Sequence, residues 1–259
     1  MKKERIDVLL VEKGLAATID EARRLVMAGL AVADDKRIDK AGDKVPCTAN
    51  IRLKERLAYV SRGGLKLQKA IEAFNLNMDG SVVIDIGAST GGFTDVALKN
   101  GASKVFAVDS GTAQLHESLR RNDSVITLEN TNFRRISYDV IGTKADFIVA
   151  DVSFISLSMI IPSAVQFCTD GTVFVPLIKP QFEAQRYEVG KGGIVTDKEV
   201  HRQVCLKIAV CAAENGFGFK GLTVSPITGA KGNVEYLAYF VYNKSSDIDF
   251  INKTIKCVI

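Results

Sequence analysis

Apolar residues recur along this chain in two rhythms, and the change from one to the other divides it. Near the start, Ile6, Leu9 and Leu10 fall at helical spacing between Arg5 and Lys13, and Gly14 stops that run. Thr18-Ile19-Asp20-Glu21 has the form of a capping box. Ala22, Leu25 and Val26 then line one face of a second helix, Asp20 to Ala28, closed by Gly29. The extended run Leu30-Ala31-Val32 turns through Ala33-Asp34-Asp35-Lys36 into another extended piece that reaches Val45. Glu55 to Gly64 joins this part to the next, with Ser61-Arg62-Gly63-Gly64 as the expected hinge. Leu65, Leu67, Ala70, Ile71 and Phe74 then return to helical spacing.

From Ser81 onward short apolar runs alternate with helical ones. The pattern predicts strands near 81–87, 104–109, 124–128, 145–151, 171–178, 220–225 and 234–242. Helices are predicted near 92–100, 111–121, 156–167 and 196–215, which makes a doubly wound α/β sheet. The last two strands follow one another through Ser225 to Asn233 without a helix, so they form an antiparallel hairpin at the end of the sheet.

Composition agrees with two folded units. The chain has 259 residues, 47% hydrophobic and 25% charged, enough for one substantial core and a small second one. The boundaries expected are 1–58 for the small unit, 59–64 for the linker and 65–259 for the large unit. No apolar stretch reaches membrane-spanning length, and Met1-Lys2-Lys3-Glu4-Arg5 lacks the apolar core of a secretion signal, so a cytoplasmic location is expected. Cys47, Cys168, Cys205, Cys211 and Cys257 form no Cys-x-x-Cys and have no His at ligand spacing, so neither disulfides nor a bound metal is expected. The net charge of +4 falls entirely before residue 63, which suggests that the first unit meets phosphates, although a surplus of four is ordinary for a soluble domain.

The strongest local signal is Val82-Val83-Ile84-Asp85-Ile86-Gly87-Ala88-Ser89-Thr90-Gly91-Gly92-Phe93. A β-branched strand ends in an acid and a small, glycine-rich turn, which lets a ligand approach the backbone and the N-terminus of the next helix. A tight turn with no ligand would use the same glycines. The next strand, Lys104 to Val108, ends in Asp109, at the distance where dinucleotide folds place a ribose ligand. The turn is not Gly-x-Gly-x-x-Gly, which favours a nucleoside cofactor over one with a pyrophosphate. The motif pair resembles the S-adenosylmethionine site of Rossmann-like methyltransferases, in particular RNA ribose 2′-O-methyltransferases of the FtsJ type. That resemblance implies cofactor contacts from Asp85, Gly87, Ala88, Ser89, Thr90, Gly91, Gly92, Phe93 and Asp109. Thr90 stands where FtsJ-type sequences often carry proline.

The first unit resembles the S4 RNA-binding domain, a small α+β fold. The match runs through Arg5-Ile6-Asp7-x-Leu9-Leu10-x-x-x-Gly14-Leu15-Ala16, Ala22-Arg23-x-Leu25-Val26-x-Ala28-Gly29 and Lys40-Ala41-Gly42-Asp43-x-Val45. It departs at Ala33-Asp34-Asp35, where the family has Val-Asn-Gly, and at Ala41, where proline is common. The resemblance implies that Arg5, Arg23 and Arg24, with Arg62 at the joint, face structured RNA through shape and phosphate. A solvated helix face is the plainer account of each arginine.

Asp85, Asp109, Asp151 and Lys179 all stand at strand ends, where open α/β sheets gather ligands. A lysine beside an acid there suits proton abstraction from a hydroxyl, and it also suits a structural ion pair. Five stretches together resemble the TlyA (hemolysin A) family: Tyr59 to Leu67, Asp85 to Asp95, Asp151 to Leu157, Leu177 to Glu183 and Gly232 to Tyr236. That family joins an S4 domain to an FtsJ-like domain with a seven-stranded sheet, and methylates cytidine 2′-oxygens of ribosomal RNA. The resemblance implies a Lys66, Asp151, Lys179 and Glu235 tetrad, S-adenosylmethionine as cofactor, no metal, and ribosomal RNA or a ribosomal subunit as partner. Asp151-Val152-Ser153-Phe154 replaces the Asn/Asp-Pro-Pro-Tyr of exocyclic-amine methylases, and no strand end carries the cysteine that carbon-5 methylation needs. A pore-forming activity finds no suitable segment. The alternative from another class is a ribosome assembly factor that binds RNA with little turnover.

Overall fold

The computed structural model describes residues 2–27, 29–53 and 58–259; the expected helix end at Ala28 and residues 55–57 of the joint lie outside the described residues. The chain forms two compact units, Met1–Ala58 and Tyr59–Ile259.

The first unit contains β1 (Lys3–Arg5), α1 (Ile6–Glu12), α2 (Ile19–Met27), β2 (Ala31–Ala33), β3 (Lys36–Arg37), β4 (Lys44–Pro46) and β5 (Ile51–Leu53). Strand β1 pairs antiparallel with β4, and β2 lies between β3 and β5. The apolar faces read from the sequence meet in one core around Ile6, Leu10, Ala22 and Val26, all fully buried. The capping box forms with a shifted reach. The Glu21 amide donates to Thr18 Oγ1 at 3.2 Å, and the Glu21 carboxylate accepts from the Ala17 amide at 2.8 Å. Asp34 and Asp35 turn the hairpin with φ of 46° and 62°, which short polar side chains tolerate in a two-residue loop.

The second unit begins with α3 (Gly64–Phe74), β6 (Val82–Ile86), α4 (Gly92–Lys99), β7 (Lys104–Val108), α5 (Glu117–Arg120), β8 (Val125–Leu128) and α6 (Tyr138–Ile141). It continues with β9 (Phe147–Ala150), α7 (Ile161–Ala164), β10 (Val173–Ile178), α8 (Pro180–Glu183), α9 (Lys198–Glu214), β11 (Phe217–Val224), β12 (Tyr236–Tyr242) and α10 (Ile248–Val258). One seven-stranded sheet runs β11-β12-β10-β9-β6-β7-β8, with β12 antiparallel to both of its neighbours. Helices α3 and α4 cover one face over a core that includes Leu67, Ile71 and Val96, while α7, α9 and α10 cover the other over Ile161, Ile208 and Ile255. The strand order reverses at β6, between β9 and β7, and ligands of such sheets bind outside the strand ends at this switch.

Four stretches differ from expectation. The helix read over 111–121 shrinks to α5, because two carboxylates take the preceding amides: Asp109 accepts from Gly111, and Glu129 accepts from Ala113, Gln114 and Leu115. The helix over 156–167 breaks into single 3-10 turns on either side of α7, whose first turn holds Pro162. Helix α10 was not anticipated; Asp247 caps it, and Ile251 and Ile255 seat it on the core. Residues 59–64, the expected linker, fall within the second unit, where the Val60 amide donates to Asp95 Oδ2 at 2.8 Å. Tyr59 joins the α3–α4 core.

Candidate active site

Strand register assembles the site. Ile86 pairs with Ala150, so Gly87 and Asp151 leave the sheet side by side, and the Asp151 amide donates to the Ile86 carbonyl at 3.0 Å. Pro176 pairs with Ala150 on the far side of β9, and Ile178 pairs with Tyr236. Asp151, Lys179 and Glu235 thereby emerge at one edge of the sheet. The fourth charge, Lys66, comes from the first turn of α3 on the covering layer.

The four side chains form one chain of contacts. Lys66 Nζ donates to Glu235 Oε2 at 2.7 Å and reaches Asp151 Oδ2 at 3.5 Å. Lys179 Nζ lies 2.5 Å from Asp151 Oδ1 and donates to Ser153 Oγ at 2.9 Å. Lys66, Lys179 and Glu235 are 8%, 7% and 2% exposed, so these charges are largely withdrawn from water. Gln181 Nε2 donates to Glu235 Oε1 at 3.0 Å, while its own Oε1 is buried without a partner among the described residues.

Two cavities adjoin these groups. One, of about 370 Å³, is walled by the four charges together with Ala88, Thr90, Gly92 and Phe93. The other, of about 350 Å³, is lined by Asp109, Gln114, Asn132 and Phe133. They share Gly87, Ser89, Asp151, Ser153 and Phe154. Phe154 is 90% exposed with φ of 62° and packs its ring 4.9 Å from that of Phe182.

The glycine turn is shaped for close approach. Gly87 has φ of 80°, and a Cβ there would lie 2.8 Å from the Asp151 carbonyl oxygen. A Cβ on Gly92 would lie 2.5 Å from Ser61 Oγ and 2.9 Å from the Gly64 nitrogen, which explains how the Ser61–Gly64 segment comes to border the first cavity. Asp109 accepts from the Ser89 amide and the Gly111 amide, each at 2.7 Å, so its carboxylate is fixed while lining the second cavity. Asp85 is fully buried; Thr94 donates to one oxygen and the other has no partner. Burial pushes its pKa up to about 7. Asp85 and Gly91 support the turn from behind and do not border either cavity.

In the first unit, Arg5 binds buried Asp7 through two donors at 3.0 and 2.6 Å, and Arg23 reaches the same carboxylate at 3.4 Å. The Arg5 guanidinium holds Asp7 below the usual carboxylate range. Both arginines stay about half exposed, and Arg24 is exposed. Arg62, also exposed, stands just before α3. Ser153, Phe154, Gln181 and Phe182 also line the first cavity, and no motif in the sequence marks them. Their signal was position next to Asp151 and Lys179.

Two family descriptions match the chain: an FtsJ-like methyltransferase over residues 59–242 and an S4 domain over residues 4–46. A Bacillus subtilis protein provisionally named rRNA methyltransferase YqxC is 47% identical over 240 residues, 92% of this chain and 85% of its own. The 16S/23S rRNA (cytidine-2′-O)-methyltransferase TlyA of Mycobacterium tuberculosis is 41% identical over 241 residues, 92% of this chain and 90% of its own. A solved structure of a hemolysin-like protein from Streptococcus thermophilus is 45% identical and superposes with a TM-score of 0.75, covering 99% of this chain and 96% of that one.

Proposed function

The chain belongs to the FtsJ-like methyltransferase family, in the S4-carrying group that includes M. tuberculosis TlyA, and from that premise we propose that it 2′-O-methylates cytidine in 16S and/or 23S ribosomal RNA with S-adenosylmethionine as donor. The observation that carries the reading is the buried chain Glu235–Lys66–Asp151–Lys179, with contacts of 2.5–3.5 Å, opening on a cavity shared with the Gly87 turn. The residues fit the cofactor: a backbone cradle without room for a Cβ at Gly87 and a fixed carboxylate on Asp109 that lines the second cavity. Bound there, S-adenosylmethionine supplies an activated methyl group. Asp109 takes the ribose diol, and the 87–93 turn lies along the remainder.

The target ribose enters the charged cavity with its 2′-oxygen toward Lys179. As the 2′-oxygen bonds to the methyl carbon and the donor's carbon–sulfur bond breaks, Lys179 would receive the hydroxyl proton as a neutral amine, or stabilise it as it departs, with Asp151 holding the side-chain nitrogen in place. Lys66 and Glu235 position the ribose and balance the charge. In the S4 unit, Arg5, Arg23 and Arg24 contact phosphates of the folded RNA, with Arg62 serving the same purpose at the joint. The workplace proposed is the cytoplasm. Among the described residues no helix is long and apolar enough to cross a membrane, which gives the hemolysin name no support in a helical span. A mass-spectrometric map of ribosomal RNA from cells with and without the protein tests the reading. Identical 2′-O-methylation in both would refute it.

A further inference from the structure

A buried polar network that none of these steps uses lies beside Glu235. Glu235 stands just before β12, and its carbonyl accepts from the Ser225 amide at 2.9 Å, which holds its backbone and leaves its side chain to other partners. Its surroundings are fixed by the two feet of the loop 185–194, whose Arg186, Tyr187 and Lys191 are exposed. At the first foot, in α8, Gln181 donates to Glu235 Oε1. Glu183, at the end of the same helix, accepts from the Ser156 hydroxyl at 2.5 Å and from the Leu157 amide at 2.7 Å.

At the second foot, Val195 is 3% exposed and held at both main-chain groups. Its amide donates to Asn233 Oδ1 at 3.1 Å, and its carbonyl lies 2.9 Å from His201 Nε2. A carbonyl only accepts, so Nε2 carries a proton; Nδ1 meets the Tyr236 hydroxyl at 2.7 Å. Asn233 Nδ2 also donates to the Gly193 carbonyl at 2.9 Å. Asn233 and Tyr236 bracket Glu235 in sequence, so the segment that carries the carboxylate and the returning end of the loop form one buried clamp.

We propose that Gln181, Asn233 and the His201–Tyr236 pair are positioning residues: they hold Glu235 against Lys66 and tie its placement to the loop 185–194. The proposal rests on the methyltransferase reading for the consequence of moving Glu235, and on geometry alone for the clamp. The bonds at Val195 and His201 are buried and those from Gln181 to Glu235 and from Asn233 to Gly193 are part-buried, so losing one of the buried bonds leaves its partner unsatisfied with little access to water.

Three variants test it, with single-turnover methyl transfer, cofactor affinity, thermal melting and tryptic cleavage at Arg186 and Lys191 measured on each. Tyr236→Phe removes one hydroxyl, Gln181→Met removes the donor at nearly constant shape, and Asn233→Ala opens the second foot. Tyr236→Phe and Gln181→Met should lower the transfer rate about tenfold or more, while cofactor affinity stays within about twofold. Tyr236→Phe and Asn233→Ala should also speed cleavage of the loop. Wild-type transfer rates in the folded Tyr236→Phe and Gln181→Met proteins would overturn the positioning role, since a merely structural role moves melting and not the rate. Unchanged cleavage in Tyr236→Phe would overturn the clamp, even if Asn233→Ala fails to fold. Should the wild-type protein transfer no methyl to ribosomal RNA, the functional reading falls, and the cleavage arm still decides whether the clamp exists.

Discussion

Replacing Lys179 by alanine separates chemistry from scaffolding. Lys179 Nζ lies 2.5 Å from Asp151 and 2.9 Å from Ser153 at 7% exposure, so its loss strips Asp151 of its nearest partner. Leaving a fully buried charge unpaired costs about 3–5 kcal/mol. Asp151 is spared the full cost: its side chain is 21% exposed, and Lys66 remains 3.5 Å away. A destabilisation of about 1–3 kcal/mol is the consequent expectation, on the scale of an unsatisfied buried group. A positioned proton acceptor contributes two to four powers of ten in rate, or about 3–5 kcal/mol in the barrier. The two effects have different readouts. Thermal melting reports the first, and single-turnover transfer to ribosomal RNA, at saturating cofactor and below the melting transition, reports the second. Cofactor affinity should stay near wild type. Lys179→Arg should not recover the rate, because a guanidinium cannot take up a proton at neutral pH. A folded, cofactor-binding Lys179→Ala protein that transfers methyl at the wild-type rate would refute the assignment.

Asp109→Ala should weaken S-adenosylmethionine about ten- to a hundredfold by calorimetry, the worth of one charge-assisted hydrogen bond; NADH binding in place of the methyl donor would sink the cofactor assignment. Asp85 titrates at about 7 against an ordinary 3.8 because of burial, so it contributes stability at low pH that fades as pH rises through about 7. Asp85→Asn should therefore gain on wild type in ligand-free melts between those values, and parallel curves would contradict the shift. Removing residues 1–58 should leave cofactor binding intact and abolish methylation of ribosomal RNA, whereas full activity would make the S4 unit dispensable. In the intact chain, RNA affinity should fall as salt rises, and Arg5→Ala and Arg23→Ala should each reduce the logarithmic slope by about one.

The parts of the site that the sequence exposes are those that end an apolar strand. Asp109, Asp151 and Lys179 each follow an apolar run, and parallel pairing carries such positions to one edge, whereas Asp85 lies inside β6 and stays behind the turn. Lys66 has no such marker. It sits on a helix, its charge opposes the helix dipole, and only the family resemblance joined it to Glu235. Gln181 and Ser153 were in view as letters, but their partners depend on the antiparallel register of β10 with β12 and on the direction in which the chain leaves β9. The helix read over 111–121 failed for a related reason. Its spacing was helical, and the competitor was Glu129, fourteen to sixteen residues away, whose carboxylate takes three amides that a helix would have used. Side chains that reach across the fold to satisfy backbone groups leave no local signature.

A protein that only gripped RNA would have little use for charges placed as these are. Phosphate contacts favour exposed cations, and Arg24 and Arg62 already offer that on the surface. Lys66 and Lys179 are withdrawn instead, and each ion that leaves water loses several kcal/mol, which pairing offsets only when every charge is matched at close range. The matching here is uneven. Asp151 serves both lysines, at 2.5 and 3.5 Å, while Lys179 Nζ also meets, among the described residues, the neutral Ser153 hydroxyl and the Phe182 ring, whose centroid is 5.8 Å away. Apolar side chains of similar volume commonly hold such an edge at equal or lower cost. An assembly factor without turnover thus leaves the arrangement unexplained. On the proposed reading methyl transfer would use every member: a lysine at the departing proton, an acid to hold it, and a second ion pair that keeps the ribose and the field in place as the hydroxyl loses its hydrogen.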